Sequence, residues 1–301
     1  MISLREAFGN ALVQIAQNRD FVVLDADVSG GTNTNFFKEK FPERFIQCGI
    51  AEQNMMSVAS GLANSGLIPI VAAYGVFATL RPLDQIRNSI AYPKTNVKIV
   101  ASHIGLDAGQ DGATHQSIED IAVMRCLPNM VILSPCDENE ILQATLAIID
   151  YKGPVYMRSG RSPVPNVTPS DYKFKIGKAS VLKQGTNDIV IFATGIMVHR
   201  ALEASKGNNL VTVINISTIK PLDKANIVAY AKQSKKVITC EDHNIIGGLG
   251  SAIAEVLSEE NINTKLVRIG INDKFGMSGD PLELATLYGI SSESIKHEIN
   301  N

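Results

Sequence analysis

Two histidines, His103 and His115, and two aspartates, Asp107 and Asp111, stand in one run, Ser102–Gln116, spaced by Gly105, Gly109 and Gly112. Imidazole titrates near neutral pH, so a pair of histidines on a glycine-rich loop suits proton exchange with a bound ligand. A metal is the rival reading, but the histidines are twelve positions apart and lack the compact spacing of a zinc site. A second group centres on Glu52, directly after the turn Cys48-Gly49-Ile50-Ala51 and at the start of an apolar segment. A carboxyl at the mouth of a buried helix is poorly solvated, which favours its neutral form and raises its pKa. The plainer alternative is an acid that complements the helix dipole. Asp25-Ala26-Asp27-Val28-Ser29-Gly30-Gly31 reads either as a ligand-binding turn at a strand end or as a solvated one. Tyr74 and Phe77, three apart, are core residues or one wall of a ring-binding site. Arg5 lies near the start of the chain and Arg158 after a strand-like run, with Arg161 three residues later, and surface solvation is the default reading of each.

The elements that must position these groups follow from hydrophobic periodicity. Ser3-Leu4-Arg5-Glu6 reads as a capping box opening a helix with Leu4, Ala7, Phe8, Ala11, Leu12 and Ile15 on one face. Met55, Met56, Val58, Ala59, Leu62 and Ala63 recur at the spacing of a buried helix face behind Glu52, ending at Ser65-Gly66. Strand-like runs at 21–25, 68–72, 97–101, 130–133 and 155–157 alternate with helical patterns near 52–65, 78–91, 117–126 and 137–150. Continuous apolar strands separated by helices imply a parallel sheet covered on both faces. The pattern stops between Ser159 and Lys175, where Pro163, Pro165 and Pro169 punctuate a polar stretch. A second alternation follows, with strands at 188–194, 211–216, 237–240 and 266–269 and helices near 197–206, 222–233, 250–258 and 282–288. The expectation is an α/β chain of two doubly wound domains, 1–160 and a smaller 178–301, joined by a linker over 161–177.

Composition narrows the function classes. The chain has 301 residues, enough for two cores, with 45% hydrophobic and 19% charged residues. A net charge of -2 gives no reason to expect a nucleic acid partner. Cys48, Cys126, Cys136 and Cys240 are scattered without a Cys-x-x-Cys pair, which fits reduced thiols better than disulfides. No run reaches the roughly 18 apolar residues of a membrane span, and no charged leader precedes an apolar core. No membrane association and a cytoplasmic location are the expectation.

Gly49-Ile50-Ala51-Glu52-Gln53 resembles the segment carrying the catalytic glutamate of thiamine-diphosphate enzymes of the transketolase type. Ser102–Gln116 resembles their His…Gly-x-Asp-Gly-Pro-Thr-His-Gln segment, with Ala113 in place of the proline. Glu241-Asp242-His243-Asn244-Ile245-Ile246-Gly247-Gly248-Leu249-Gly250 is similar to a segment of their C-terminal domains that has no catalytic role, so domain packing is its expected task. Arg81-Pro82-Leu83-Asp84-Gln85-Ile86-Arg87 also looks family-like and is assigned structure rather than chemistry. The resemblance implies that Glu52 hydrogen-bonds the cofactor's aminopyrimidine, that Phe77 stacks on it beside Tyr74, and that Asp27 lies at its edge. It implies that His103 and His115 bind donor hydroxyls and move protons, and that Asp111 senses the neighbouring hydroxyl. Arg158 and Arg5 would hold the phosphate of a sugar phosphate. Gly31, with Thr32 beside it, stands where many transketolases have a phosphate-contacting serine.

One part of the family pattern is missing. The diphosphate and its Mg2+ are held in relatives by Gly-Asp-Gly and an asparagine about thirty residues on. Gln110-Asp111-Gly112 lacks the first glycine, and no suitable asparagine follows at that distance. The resemblance covers the C-terminal half of an ordinary transketolase. It therefore implies one subunit of a split enzyme, inactive alone, whose N-terminal partner subunit carries the diphosphate and magnesium side in an α2β2 assembly. The implied reaction moves a two-carbon ketol unit from a ketose to an aldose, with sugar phosphates, or branched or sulfonated sugars, as candidate substrates. A deoxyxylulose-phosphate synthase, a 2-oxoacid dehydrogenase beta chain and a non-catalytic paralogue are the disfavoured alternatives.

Overall fold

The computed structural model describes residues 1–301. Ser3 caps the first helix, Leu4–Ile15, its hydroxyl accepting the Glu6 amide at 3.3 Å. That helix buries Leu4, Ala7, Phe8, Ala11, Leu12 and Ile15, the face read from the sequence. In chain order the strands are β1 Ile2–Ser3, β2 Val22–Asp25, β3 Phe45–Gln47, β4 Pro69–Tyr74, β5 Lys98–Ser102, β6 Val131–Leu133, β7 Val155–Ser159 and β8 Pro163–Val164. They are followed by β9 Ser180–Lys183, β10 Ile189–Ala193, β11 Val211–Asn215, β12 Thr218–Lys220, β13 Lys236–Asn244 and β14 Lys265–Ile271.

A seven-stranded sheet has the order β12-β6-β7-β5-β4-β2-β3, parallel except for β12. Successive strand residues feed opposite faces. Val23, Ile70, Ala72 and Val100 pack against helices Leu4–Ile15 and Glu138–Asp150, while Leu24, Val71, Ala73, Ile99 and Ala101 pack against Glu52–Asn64 and its neighbours. Both faces are therefore buried, which is why these strands read as unbroken apolar runs. The second sheet, β14-β13-β10-β11-β9, is parallel except for β9. The doubly wound α/β reading thus holds for both sheets.

Three departures from the sequence reading have physical causes. The helix expected over 78–91 is broken into Gly75–Thr79, Leu83–Gln85 and a π-helical turn at Ile86–Ala91. Pro82 lacks the amide proton a continuing helix needs, and Arg81 stands in the resulting kink. β12 leaves the second half of the chain and pairs antiparallel with β6, a junction too short and polar to read from periodicity. Pro163–Val164, inside the Pro-rich stretch, pairs with Ile2–Ser3. No helix is long and apolar enough to cross a membrane.

A buried polar joint ties the two sheets together. Arg158 on β7 donates to both Asp120 oxygens, at 2.8 and 3.3 Å, and to Asp242 Oδ1 on β13 at 2.6 Å. Tyr156 adds a 2.5 Å bond to Asp120. Glu241 accepts the Leu249 and Gly250 amides at 2.7 and 2.8 Å, closing the start of helix Leu249–Glu259. The Ala122 amide donates to His243 Nε2. Segment 241–250 thus carries domain packing.

Candidate active site

Five neighbouring strands of the large sheet, β7-β5-β4-β2-β3, deliver the candidate residues from their carboxyl ends. β3 leads through the Gly49 turn to Glu52, β2 ends at Asp25, β4 at Tyr74, β5 at Ser102 before His103, and β7 at Ser159 before Arg161. This is the edge at which parallel α/β sheets bind ligands.

Glu52 is the first residue of helix Glu52–Asn64 and is 5% exposed. The sequence led us to expect a carboxyl among apolar neighbours, but Glu52 has a cationic partner. Arg81 Nη1 donates to Oε1 at 2.9 Å and to Oε2 at 3.2 Å. The same guanidinium lies 4.0 Å above the Phe77 ring. An open cleft of about 420 Å³, lined by Ile50–Asn54 and Arg81, adjoins the pair.

The two histidines differ. His103 is 3% exposed, has a left-handed backbone (φ 55°), and packs its ring 3.8 Å from that of Tyr74. A non-glycine residue held in that region is a strained feature of the kind that gathers at functional sites. Burial, then Arg5 and Arg161, push its pKa down to about 3, so the ring is neutral at working pH. The expectation of a His103 that titrates near neutrality is corrected accordingly; it is a fixed hydrogen-bonding group with Ser102 Oγ on Nδ1 at 3.0 Å. His115 is half-buried, bonds Thr114 Oγ1 at 2.9 Å, and stands edge-on to Phe77 at 5.1 Å. Asp111 lies 3.8 Å from His103 Nε2 and accepts from Arg161 at 2.9 Å. Arg161 also bonds the Ala108 carbonyl, and the Arg161 and Ser162 amides donate to buried Asp107 at 2.5 and 2.8 Å.

Tyr74 explains the glycine at 31. A Cβ built on Gly31 would collide with the Tyr74 hydroxyl, and the ring's packing against His103 leaves it little room to retreat. Arg5 donates to the Gly31 carbonyl at 2.8 Å, so guanidinium and phenol meet on one residue's backbone. Thr32 is turned inward onto Asp25 (3.2 Å) and Thr34 (2.9 Å) and offers nothing to the site. Asp27 is exposed at the rim with φ 64°, its amide and carboxylate held by Gln47.

Glu52, Phe77, Tyr74, His103, His115, Asp111 and Arg5 therefore share one edge, and Arg158 does not join them. With no exposed surface and its donors directed to Asp120 and Asp242, Arg158 cannot reach a ligand. The expectation of an anion-gripping Arg158 is thus at odds with its burial, and it is Arg161 that stands at the edge, on Asp111. The signal was in the strand: Arg158 lies within β7, opposite Ala101, whereas Arg161 follows its carboxyl end. The segment 81–87, assigned to structure, also brings the Arg81 side chain onto Glu52.

Residues 1–166 match the family model described as transketolase, pyrimidine binding domain, and residues 177–295 that described as transketolase, C-terminal domain. A putative transketolase C-terminal section from Methanocaldococcus jannaschii is 45% identical, over 98% of this chain and 95% of its own length. A 6-deoxy-6-sulfo-D-fructose transketolase subunit of Clostridium sp. is 38% identical, over 98% and 94%. A solved structure described as a split gene transketolase, inactive beta4 tetramer, superposes with a TM-score of 0.89 at 44% identity, over 99% of this chain and 97% of that one. These likenesses place the chain in a thiamine-diphosphate-dependent family. The chain belongs to the transketolase family and corresponds to its pyrimidine-binding and C-terminal domains. The cofactor's ring end fits what is present: a carboxyl at a helix start and the face of Phe77, both now engaged by a planar guanidinium. For its metal-bound end, the chain has no group of three His, Cys, Asp or Glu side chains that converge.

Proposed function

We propose that this chain is one subunit of a split transketolase and supplies the pyrimidine side of an active site completed by an N-terminal partner. The observation that carries this is the convergence of Glu52, Phe77, His103 and His115 on one sheet edge. Thiamine diphosphate, when bound, supplies the carbon nucleophile for breaking and remaking the ketose carbon–carbon bond. Glu52 would hold the aminopyrimidine nitrogen, and Phe77 would offer its face to the ring, with Tyr74 and Asp27 beside it. His103, a neutral fixed ring, orients donor hydroxyls; His115, less buried, is the better placed to exchange a proton. Asp111, braced by Arg161, would sense the hydroxyl next to the carbonyl.

Arg5, Arg161 and the Tyr74 hydroxyl would meet the substrate's anionic end. The Clostridium relative is named for a sugar ending in a sulfonate, a tetrahedral anion that guanidinium groups grip as they do phosphate. The partner would bring the diphosphate and Mg2+ ligands in an α2β2 assembly. The solved relative whose beta chains alone form an inactive tetramer supports the need for a partner.

The test is ketol transfer from xylulose 5-phosphate to ribose 5-phosphate, with thiamine diphosphate and Mg2+. The partner to add is a chain that bears Gly-Asp-Gly and the downstream asparagine. Activity in the complete mixture alone, reduced about 10²-fold or more by Glu52→Gln, is the expected result. A complex that binds cofactor but rejects phosphorylated, sulfonated and neutral ketoses alike would refute it.

A further inference from the structure

The Arg81 side chain touches Glu52 and Phe77, both residues that the proposed function reserves for the cofactor. Its Nη1 lies within hydrogen-bond distance of both Glu52 oxygens, and its guanidinium plane covers Phe77 at 4.0 Å. A guanidinium is flat, delocalised and rimmed with N–H donors, so it satisfies a carboxylate and an aromatic face together, as an aminopyrimidine ring would. The Arg81 side chain is 47% exposed while that of Glu52 is 6% exposed, so the arginine can swing into solvent and the glutamate cannot. Its position follows from the chain: Pro82 breaks the helix, and Gln53 Nε2 bonds the Arg81 carbonyl at 3.2 Å, fixing the backbone and leaving the side chain free.

We propose that Arg81 is a placeholder for the cofactor's pyrimidine ring, competing for Glu52 and Phe77 and so setting cofactor affinity. The inference rests on the functional reading above. Before the ring can bind, the guanidinium must leave both contacts, and binding is weakened by what those contacts are worth. When it leaves, the Glu52 carboxyl and the Phe77 face are both open to the ring. The placeholder also keeps a buried carboxylate paired in the free subunit, where an unpaired one would be destabilising.

The experiment is calorimetric titration of thiamine diphosphate with Mg2+ into the reconstituted pair, for wild type, Arg81→Ala, Arg81→Lys, Glu52→Gln and the double variant Glu52→Gln/Arg81→Ala. A half-exposed ion pair and a cation–π contact together correspond to about tenfold in affinity, so Arg81→Ala should bind about tenfold tighter. Arg81→Lys, lacking the planar fork, should fall between, and the gain should shrink when residue 52 is Gln. A partner-independent arm titrates 4-amino-5-hydroxymethyl-2-methylpyrimidine into this chain alone, where Arg81→Ala should again bind more tightly. Equal or weaker binding by Arg81→Ala in either arm would overturn the placeholder. Absence of cofactor binding by the wild-type pair would overturn the functional reading itself, and the placeholder with it.

Discussion

His103 gains its value from burial rather than from titration. Its folded pKa of about 3 lies below the ordinary histidine value near 6.5, so between those limits the unfolded chain binds the extra proton. Stability from this residue is complete above about pH 6.5 and drains away as pH falls toward 3. A His103→Gln variant should therefore show a shallower acid limb, by up to about 1.4 kcal/mol per pH unit, in urea unfolding from pH 7 to pH 4. An unchanged slope would mean the ring is not held neutral. Tyr74 makes a second residue-scale claim. If its hydroxyl serves the substrate's anionic end, Tyr74→Phe should raise KM about tenfold for an anionic ketose and leave kcat near wild type. A fall in kcat alone would place Tyr74 with the chemistry instead.

At the scale of elements, the loop after β5 is held by positive-φ backbone and close approach. Gly105 has φ 56°, and a Cβ there would strike the Asp242 carbonyl of β13. Gly105→Ala should cost about 1–3 kcal/mol in urea unfolding and loosen the histidine loop; a loss below about 0.5 kcal/mol would contradict that packing. The strands of both sheets were legible because burial on two faces writes continuous apolar runs, and helix Glu52–Asn64 because its buried face repeats. β12 was not legible, since Thr218 and Lys220 carry no strand signal and the strand exists only through its pairing with β6. The histidine loop stood out by its residue types and Glu52 by its family-like segment, and the structure brings both to one sheet edge. The Arg81 contact was not legible, since it depends on how a broken helix folds back over Glu52, and Arg158 looked like Arg161 until strand register separated them.

At the scale of the whole molecule, the two sheets are joined through a guanidinium shared between their carboxylates. Removing it strands two buried acids, so Arg158→Met should destabilise the chain by about 3–5 kcal/mol, whereas Arg161→Met, on a half-exposed pair, should change stability by about 0.5 kcal/mol or less. Comparable losses in both variants would refute the division between joint and site. The proposed function gives this chain the ring side of the site and leaves the metal side to a partner, and that division is the centre of the account. The most direct test is calorimetric titration of thiamine diphosphate with Mg2+ into this chain alone, its N-terminal partner alone, and the two together. The account predicts tight, magnesium-dependent binding only when both subunits are present. Tight magnesium-dependent binding to this chain alone would contradict it.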